Sequence, residues 1–365
     1  LVSKKMDNKK KTACGVNYDQ YVHRKVLTIV TLVVLTFLTA LFAISAGSAD
    51  IPVLEVLKAL FGFGAAKNVL VTVNIRLPRI LMAIVGGIGL AAAGCVMQSI
   101  LKNPLASAST LGISQGASFG AAIAITFLGG GTVMGNTASA VTVNNPYLTS
   151  MCAFAASMFV TLVILGLSKA RKASPETMIL AGVALSSLFA GATALIQYFS
   201  SDVQMAAIVF WTFGDLGRAS MQNIQVAAVV TAGALIYFMF NRWNYNALEC
   251  GEHTATGLGV NVSRVRLIGM TVASLTAATI VSFVGIINFI GLIAPHIMRR
   301  FVGNDYRYLL PASALTGALM LLVSDTFARL IVSPIILPIG AITSFLGAPL
   351  FLYLIFKGVG HNAEN

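Results

Sequence analysis

Asn74-Ile75-Arg76-Leu77-Pro78-Arg79 runs into an apolar, Gly- and Ala-rich stretch that ends at Asn103-Pro104-Leu105-Ala106, followed by Thr110-Leu111-Gly112-Ile113-Ser114-Gln115-Gly116-Ala117. Two arginines mark the start of a membrane helix, and a proline-broken, glycine-rich polar segment follows its end. Irregular backbone is stable at membrane depth only where protein buries it or where it lines a water-filled path, because its N–H and C=O groups need partners. The stretch therefore reads as part of an all-α, polytopic membrane protein that moves a solute.

The rest of the chain agrees. Of 365 residues, 57% are apolar and 10% are charged, against about 25% charged in a soluble domain. The net charge of +12 lies between apolar spans, and no arginine-rich stripe with interleaved aromatics accompanies it. That distribution excludes a nucleic-acid partner and matches the positive-inside pattern of membrane proteins. Residues 1–25 carry seven Lys/Arg against two Asp and precede an apolar run from Val26 to Gly47. The Ala-Gly-Ser-Ala sequence after it resembles a cleavage site, but a signal h-region spans only about 7–15 residues. The run is read as a first transmembrane helix behind a basic cytoplasmic tail, residues 1–25, whose first 20 residues are disordered. Cys14, Cys95, Cys152 and Cys250 lack disulfide or metal-ligand spacing and read as packing residues.

A helix needs about 20 apolar residues to cross the hydrocarbon. Ten candidates follow: 26–47, 79–101, 111–129, 148–168, 178–199, 223–241, 265–283, 287–299, 309–328 and 337–356. Alternation from a cytoplasmic N-terminus places 102–110, 169–177, 242–264, 299–308 and Lys357 with the C-terminal tail, 358–365, inside, together with Arg266 just inside the edge of the seventh helix. This puts 18 of 24 Lys/Arg there, leaving Lys58, Lys67, Arg76, Arg79, Arg218 and Arg329 outside. The spans are rich in small residues, such as Gly86, Gly87, Gly89 and Gly94, that let helices approach closely in lipid.

No Walker A or HExxH sequence is present, the four histidines are isolated, and no metal site or cofactor is expected on the chain itself. Carboxylates inside the spans, which would mark a proton path, are nearly absent. Asp325 is the clearest, and its spacing to Arg329 allows an i,i+4 ion pair. Energy must then come from another chain, and 248–260 is the surface that would receive it. Leu248, Glu249, Glu252, His253, Gly257, Leu258 and Gly259 form a helix-forming stretch with a Gly-x-Gly stop, read as one short amphipathic helix on the inside face. Arg76, Arg79 and Arg329 fall at outer helix ends, either snorkelling or forming a landing site for acidic residues of another protein.

The chain resembles the transmembrane permeases of bacterial and archaeal ABC importers for iron-siderophores, haem and vitamin B12 over about residues 26–357. The resemblance rests on Arg76-Leu77-Pro78-Arg79, Gln98 with Asn103-Pro104-Leu105-Ala106, Leu180-Ala181-Gly182-Val183-Ala184, Trp211-x-x-Gly214, Leu258-Gly259-Val260, Gly291-Leu292-Ile293-Ala294-Pro295-His296, Leu337-Pro338-Ile339-Gly340 and Gly347-Ala348-Pro349. It implies a ten-helix subunit in the cell membrane that pairs with a second copy of itself. Two ATPase subunits carrying the ATP bind beneath it, and an extracytoplasmic substrate-binding protein docks outside. It also implies docking by Arg76, Arg79 and Arg329, coupling through 248–260, and an inner gate at Asn103 and Leu105. Pro175 and Glu176 replace the small hydroxyl residues of a second constriction, and Ile336 stands where the family often has Glu. Ser186, Ser187, Thr193, Gln197 and Tyr198 would give the translocation path a weakly polar wall. An iron-siderophore complex is the first expectation for the substrate, with haem, cobalamin and molybdate behind it. A proton-coupled secondary carrier and an exporter or channel are the rival classes.

Overall fold

The computed structural model describes residues 18–47, 52–60, 62–129, 131–133, 141–143, 146–171, 174–333 and 335–362. Each of the ten expected spans is a helix. Helix α1 covers Tyr18–Ser45, the short α2 and α3 cover Val53–Leu60 and Ala66–Leu70, and a π-helical turn, Val71–Arg76, leads into α4, Leu77–Ile100. Then come α5 (Ile113–Phe127), α6 (Pro146–Arg171), α7 (Pro175–Phe199), α8 (Asp202–Thr212) and α9 (Met221–Phe240). The chain continues through α10 (Arg242–Glu249), α11 (Glu252–Gly257), α12 (Val262–Val284), α13 (Ile290–Val302), α14 (Tyr306–Leu330) and α15 (Ile339–Asn362). A three-residue antiparallel ribbon, with Gly131 opposite Val143 and Val133 opposite Val141, is the one strand pairing among the described residues.

Seven of these units are long and apolar enough to cross a membrane: α1, α3–α4 together, α6, α7, α9, α12 and α14. The apolar parts of α5 and α15 are shorter, Ile113–Phe127 and Ile339–Tyr353. Helix α13 has 13 residues and ends in Arg299 and Arg300.

Three boundaries differ most from expectation. The span expected from residue 79 begins at Ala66, because the π turn widens the helix where the Pro78 ring would crowd the carbonyl four residues before it. The tail assigned to 1–25 is helical from Tyr18, and residues 1–17 lie outside the described residues. The tail assigned to 358–365 is helical as far as Asn362, with 363–365 outside the description.

Helix α4 is the axis of the subunit, packed by α14, α12, α13 and α9. Glycine makes this possible. A Cβ on Gly94 would overlap the Gly291 carbonyl of α13, and one on Gly87 would overlap the Gly317 carbonyl of α14. The core divides into two apolar clusters, one around Tyr245, Tyr306 and Met97 and the other around Trp211, Val284 and Ile339.

The two ends of the bundle are distinct. Arg266 Nε donates to the Ile100 carbonyl at 3.2 Å, which joins the end of α4 to the start of α12. Asn246 bonds Asp305 at 3.1 Å, and a cavity of about 360 Å³ lies between Lys169, Glu252 and Arg266. The ends of α4 and α6 and the starts of α12 and α14 thus share the end that carries α10 and α11. At the opposite end the loops are interlocked: Asp215 N donates to the Val284 carbonyl at 2.7 Å and Gly340 N to the Phe213 carbonyl at 2.9 Å. Gly214 has φ +74° and Gly285 φ +83°, so both carry conformations that an L side chain would strain.

Candidate functional site

At the Arg76 end the three arginines are brought together, but not as a surface. Arg76, Arg79 and Arg329 are 6, 7 and 9% exposed, around an Asp325 that is 1% exposed. Arg79 Nε donates to Asp325 Oδ1 at 2.7 Å and Arg329 Nε to Asp325 Oδ2 at 3.0 Å. Arg329 also donates to the Ala46 and Ala43 carbonyls at 2.9 and 3.0 Å, and Arg76 to those of Ile44 and Ser45 at 2.9 and 2.7 Å. The last carbonyls of α1 have no helical partners, and guanidinium groups satisfy them here. The landing site expected of these arginines is not presented in this conformation, in which they fasten α1 to α4 and α14. The i,i+4 pair of Asp325 and Arg329 is present, while the partnership with Arg79, 246 residues from Asp325, was not foreseen.

Asp215, which follows the Trp211-x-x-Gly214 motif, lies 3.5 Å from Arg79 and is the second missed residue. Burial pushes the neighbouring Arg218 guanidinium down from its ordinary value, and the Asp215 charge pulls it back up. The exposed cations at this end include Lys58 and Lys67.

At the other end the expected single helix over 248–260 is two helices. Gly251, at φ +114°, breaks the backbone between α10 and α11. The break divides the residues expected to meet an ATPase. Leu248 is buried in the apolar cluster. Glu249 is exposed, and its carboxylate accepts a hydrogen bond from the Tyr306 hydroxyl at 3.1 Å. Leu248 therefore presents no outward surface in this conformation, contrary to expectation, whereas Glu249 does. Glu252 pairs with Arg266, which ties α11 to α12. His253, Gly257, Leu258 and Gly259 are exposed, Leu258 at 69%. Asp305 closes this end: burial raises its carboxyl, but hydrogen bonds from Arg307 and Asn246 outweigh that and hold it below its usual value.

The gate candidates sit in the turn after α4. Asn103 accepts a hydrogen bond from the Leu105 N–H at 2.8 Å, an Asx turn that leaves the Leu105 side chain half exposed. Behind it Ser107, Ser109 and Thr110 bond one another, and Gly112, at φ +76°, starts α5 against the backbone of Gly182 and Ser186. Gly112–Gly116 has the spacing Gly-x-Ser-x-Gly, but no strand precedes it and Ser114 is buried in a helix. A nucleophile elbow requires the opposite context.

Helix α7 is the least buried of the long helices apart from its contacts with α5, α6 and α8. Its open face carries Leu180, Val183, Ser187, Leu188, Leu195 and Tyr198, the last 81% exposed. Ser186 and Gln197 are partly exposed at its edges. Thr193 is corrected: it is buried and donates to the Phe189 carbonyl at 2.8 Å, so it turns away from any path on that face.

Comparison with known proteins places this architecture. The family model of the FecCD transport family matches residues 32–357. A candidate ABC transporter permease of Methanocaldococcus jannaschii is 56% identical over 307 residues, 84% of this chain and 87% of that protein. The hemin transport system permease of Yersinia pestis is 36% identical over 78% of this chain and 82% of its own length. Relatives in Bacillus subtilis and Vibrio vulnificus, 36 and 34% identical, are named for Fe(3+)-citrate and vitamin B12 import, so kinship leaves the substrate open. The solved structure of an inward-facing, candidate metal-chelate type ABC transporter aligns with TM-score 0.78 at 28% identity, over 90% of this chain and 98% of the other. Helices, motifs and relatives agree that the chain belongs to the FecCD transport family and is a multi-pass membrane permease of the ABC importer kind.

Proposed function

We propose that the chain is the permease of a binding-protein-dependent importer for a metal chelate, with an iron-siderophore complex as first choice and haem or cobalamin as alternatives. ATP is hydrolysed on two separate ATPase subunits. The observation that carries the reading is the α11 segment. It projects His253, Gly257 and a largely bare Leu258 at one end of the bundle, held from behind by the Glu252–Arg266 pair. An exposed leucine on a rigid hook has little use in an isolated chain, and it suits insertion into a groove of a partner. That end is cytoplasmic on this reading, as the positive-inside rule requires of the segments gathered there.

Two copies pair through the open face of α7, and substrate passes between them along a wall of Ser187, Gln197 and Tyr198. A wall with few charges holds substrate weakly, which suits a conduit whose affinity resides in the binding protein. Asn103 and Leu105 narrow the inner mouth. On the outer end the binding protein meets the face of α2 and α3, where Lys58 and Lys67 are exposed. Arg76, Arg79 and Arg329 support that face from within in this conformation. Fixation of Asp325 between two arginines also removes the best candidate for a proton carrier, which weakens the secondary-carrier alternative.

The test is ATPase activity in lipid after co-expression with ATPase and binding-protein partners, across ferric siderophores, haem and cobalamin. Stimulation by one loaded binding protein is expected and names the substrate. A permease that neither co-purifies with an ATPase nor alters its rate would overturn the reading.

A further inference from the structure

Between the α10–α11 hook and the bend from α12 to α13 lies a set of polar side chains of which only Glu249 belongs to the segment expected to meet an ATPase. Tyr306, the first residue of α14, is fully buried, and its hydroxyl lies 3.1 Å from Glu249 Oε1 and 3.3 Å from the Cys95 carbonyl. Its backbone N–H donates to Asn246 Oδ1 at 2.8 Å, so α10 is stitched to α14 at two residues three positions apart. Residues so spaced share one helix face. On the other side of Cys95, Gln98 is 2% exposed and accepts from Arg299 Nη1 at 2.6 Å. The Gln98 amide donates to the carbonyls of Leu292 and Gly291 at 3.2 and 3.4 Å. Arg299 closes the set, facing Tyr306, Cys95 and Glu249 from α13.

We infer that Glu249, Tyr306, Arg299 and Gln98 form a polar relay, buried at Tyr306 and Gln98, through which displacement of the hook reaches the first turn of α13. The inference rests on the importer reading, because it gives the hook an ATPase to move it. Three features support transmission in place of simple stability. First, the chain is contiguous: α10 holds α14, α14 and α13 converge on Glu249 and Arg299, and Gln98 holds the α13 start. Second, the receiving end is a discontinuity. Phe289, at φ +67°, caps the start of α13 just beyond the locked Gly285–Ile286 backbone, so the chain is broken there and α13 can turn without unravelling α12. Third, the backbones at the receiving end touch. Besides the Gly94–Gly291 contact, a Cβ on Gly291 would lie 2.7 Å from the Leu90 carbonyl, so α13 cannot shift without α4 registering it. The inner members, Tyr306 and Gln98, are buried and hydrogen-bonded, and buried polar groups so paired are stiff, which is the property a relay needs.

Tyr306→Phe removes one hydroxyl and Gln98→Met one amide, each at nearly constant volume. In lipid, with ATPase and binding protein present, each variant is expected to keep co-purification and basal ATPase rate within about twofold of wild type. Stimulation by loaded binding protein, and uptake, should fall about tenfold, which is about 1.4 kcal/mol of coupling. The double variant should be no worse than either single one, because both break the same chain. Stimulation within twofold of wild type, or a double defect equal to the product of the single ones, would overturn the relay. Loss of co-purification by a variant would also overturn it, by making the residue a support for α10. Failure of the wild-type chain itself to bind an ATPase would overturn the importer reading and the relay with it.

Discussion

Asp325 presents one oxygen to Arg79 and the other to Arg329, and its removal would leave two buried guanidinium ions, Arg329 with only backbone carbonyls as partners and Arg79 with only Asp215, 3.5 Å away. Breaking a buried pair from one side costs about 3–5 kcal/mol, more than the pair contributes when intact, because the remaining charge is stranded. Asp325→Ala is therefore expected to lower the thermal unfolding midpoint in detergent clearly. Asp325→Asn, which keeps one acceptor, should lower it less. A midpoint unchanged in Asp325→Ala would mean that the arginines are solvated. The same geometry makes a charge reversal at Arg79 a poor probe of docking, since a carboxylate there would face Asp325. Lys58→Glu with Lys67→Glu tests the outer face without disturbing the core. Some of this was legible in the sequence: four-residue spacing exposes the Asp325–Arg329 pair. The partnership with Arg79 was not, because nothing local links residues 246 positions apart, and an arginine at a helix end reads alike whether it snorkels or staples.

Helices were the most legible elements, because a 20-residue apolar run between charged segments has few alternatives. Their breaks were less so. Gly257-x-Gly259 was visible as a stop, yet Gly251 divides the segment first, since it is the position that takes φ +114°. Glycine density pointed to close packing without saying which glycines do it. The structure separates them. Gly94 faces the Gly291 carbonyl with no room for a methyl group, whereas a Cβ on Gly233 of α9 would meet nothing within 4 Å. Gly94→Ala should cost about 1–3 kcal/mol through overpacking, or prevent folding. Gly233→Ala should be neutral or stabilise by up to about 1 kcal/mol, the ordinary helix preference for alanine. Expression yield and thermal midpoint in detergent read both. Equal effects at the two sites would mean that α4 and α13 are not in backbone contact.

At the scale of the whole molecule, the bundle has one end closed by charge and one end that projects. The arginine cluster, the π turn and the interlocked loops around Gly214, Gly285 and Gly340 make the first end rigid. The other end gathers the joints after α4 and α6, before α12 and around Tyr306, and extends α11 from them. Motion imposed on the permease would enter where the structure is extended and be resisted where it is stapled. This asymmetry matches an importer driven from one side. It also isolates the hook for testing, because Leu258 is 69% exposed and its substitution should not disturb the bundle. Surface changes of this kind stay within about 0.5 kcal/mol of the parent, while burial of a whole leucine in a partner groove contributes about 1.5–3 kcal/mol. Leu258→Glu removes that burial and would place a charge in an apolar groove. The variant should insert into the membrane and melt like wild type, yet hold its ATPase at least tenfold more weakly, by about 1.4 kcal/mol or more. Titration of the purified ATPase against wild-type and variant permease in nanodiscs measures the difference. Equal affinity would take 257–259 out of the interface and move the search for the ATPase contact to the turn after α4.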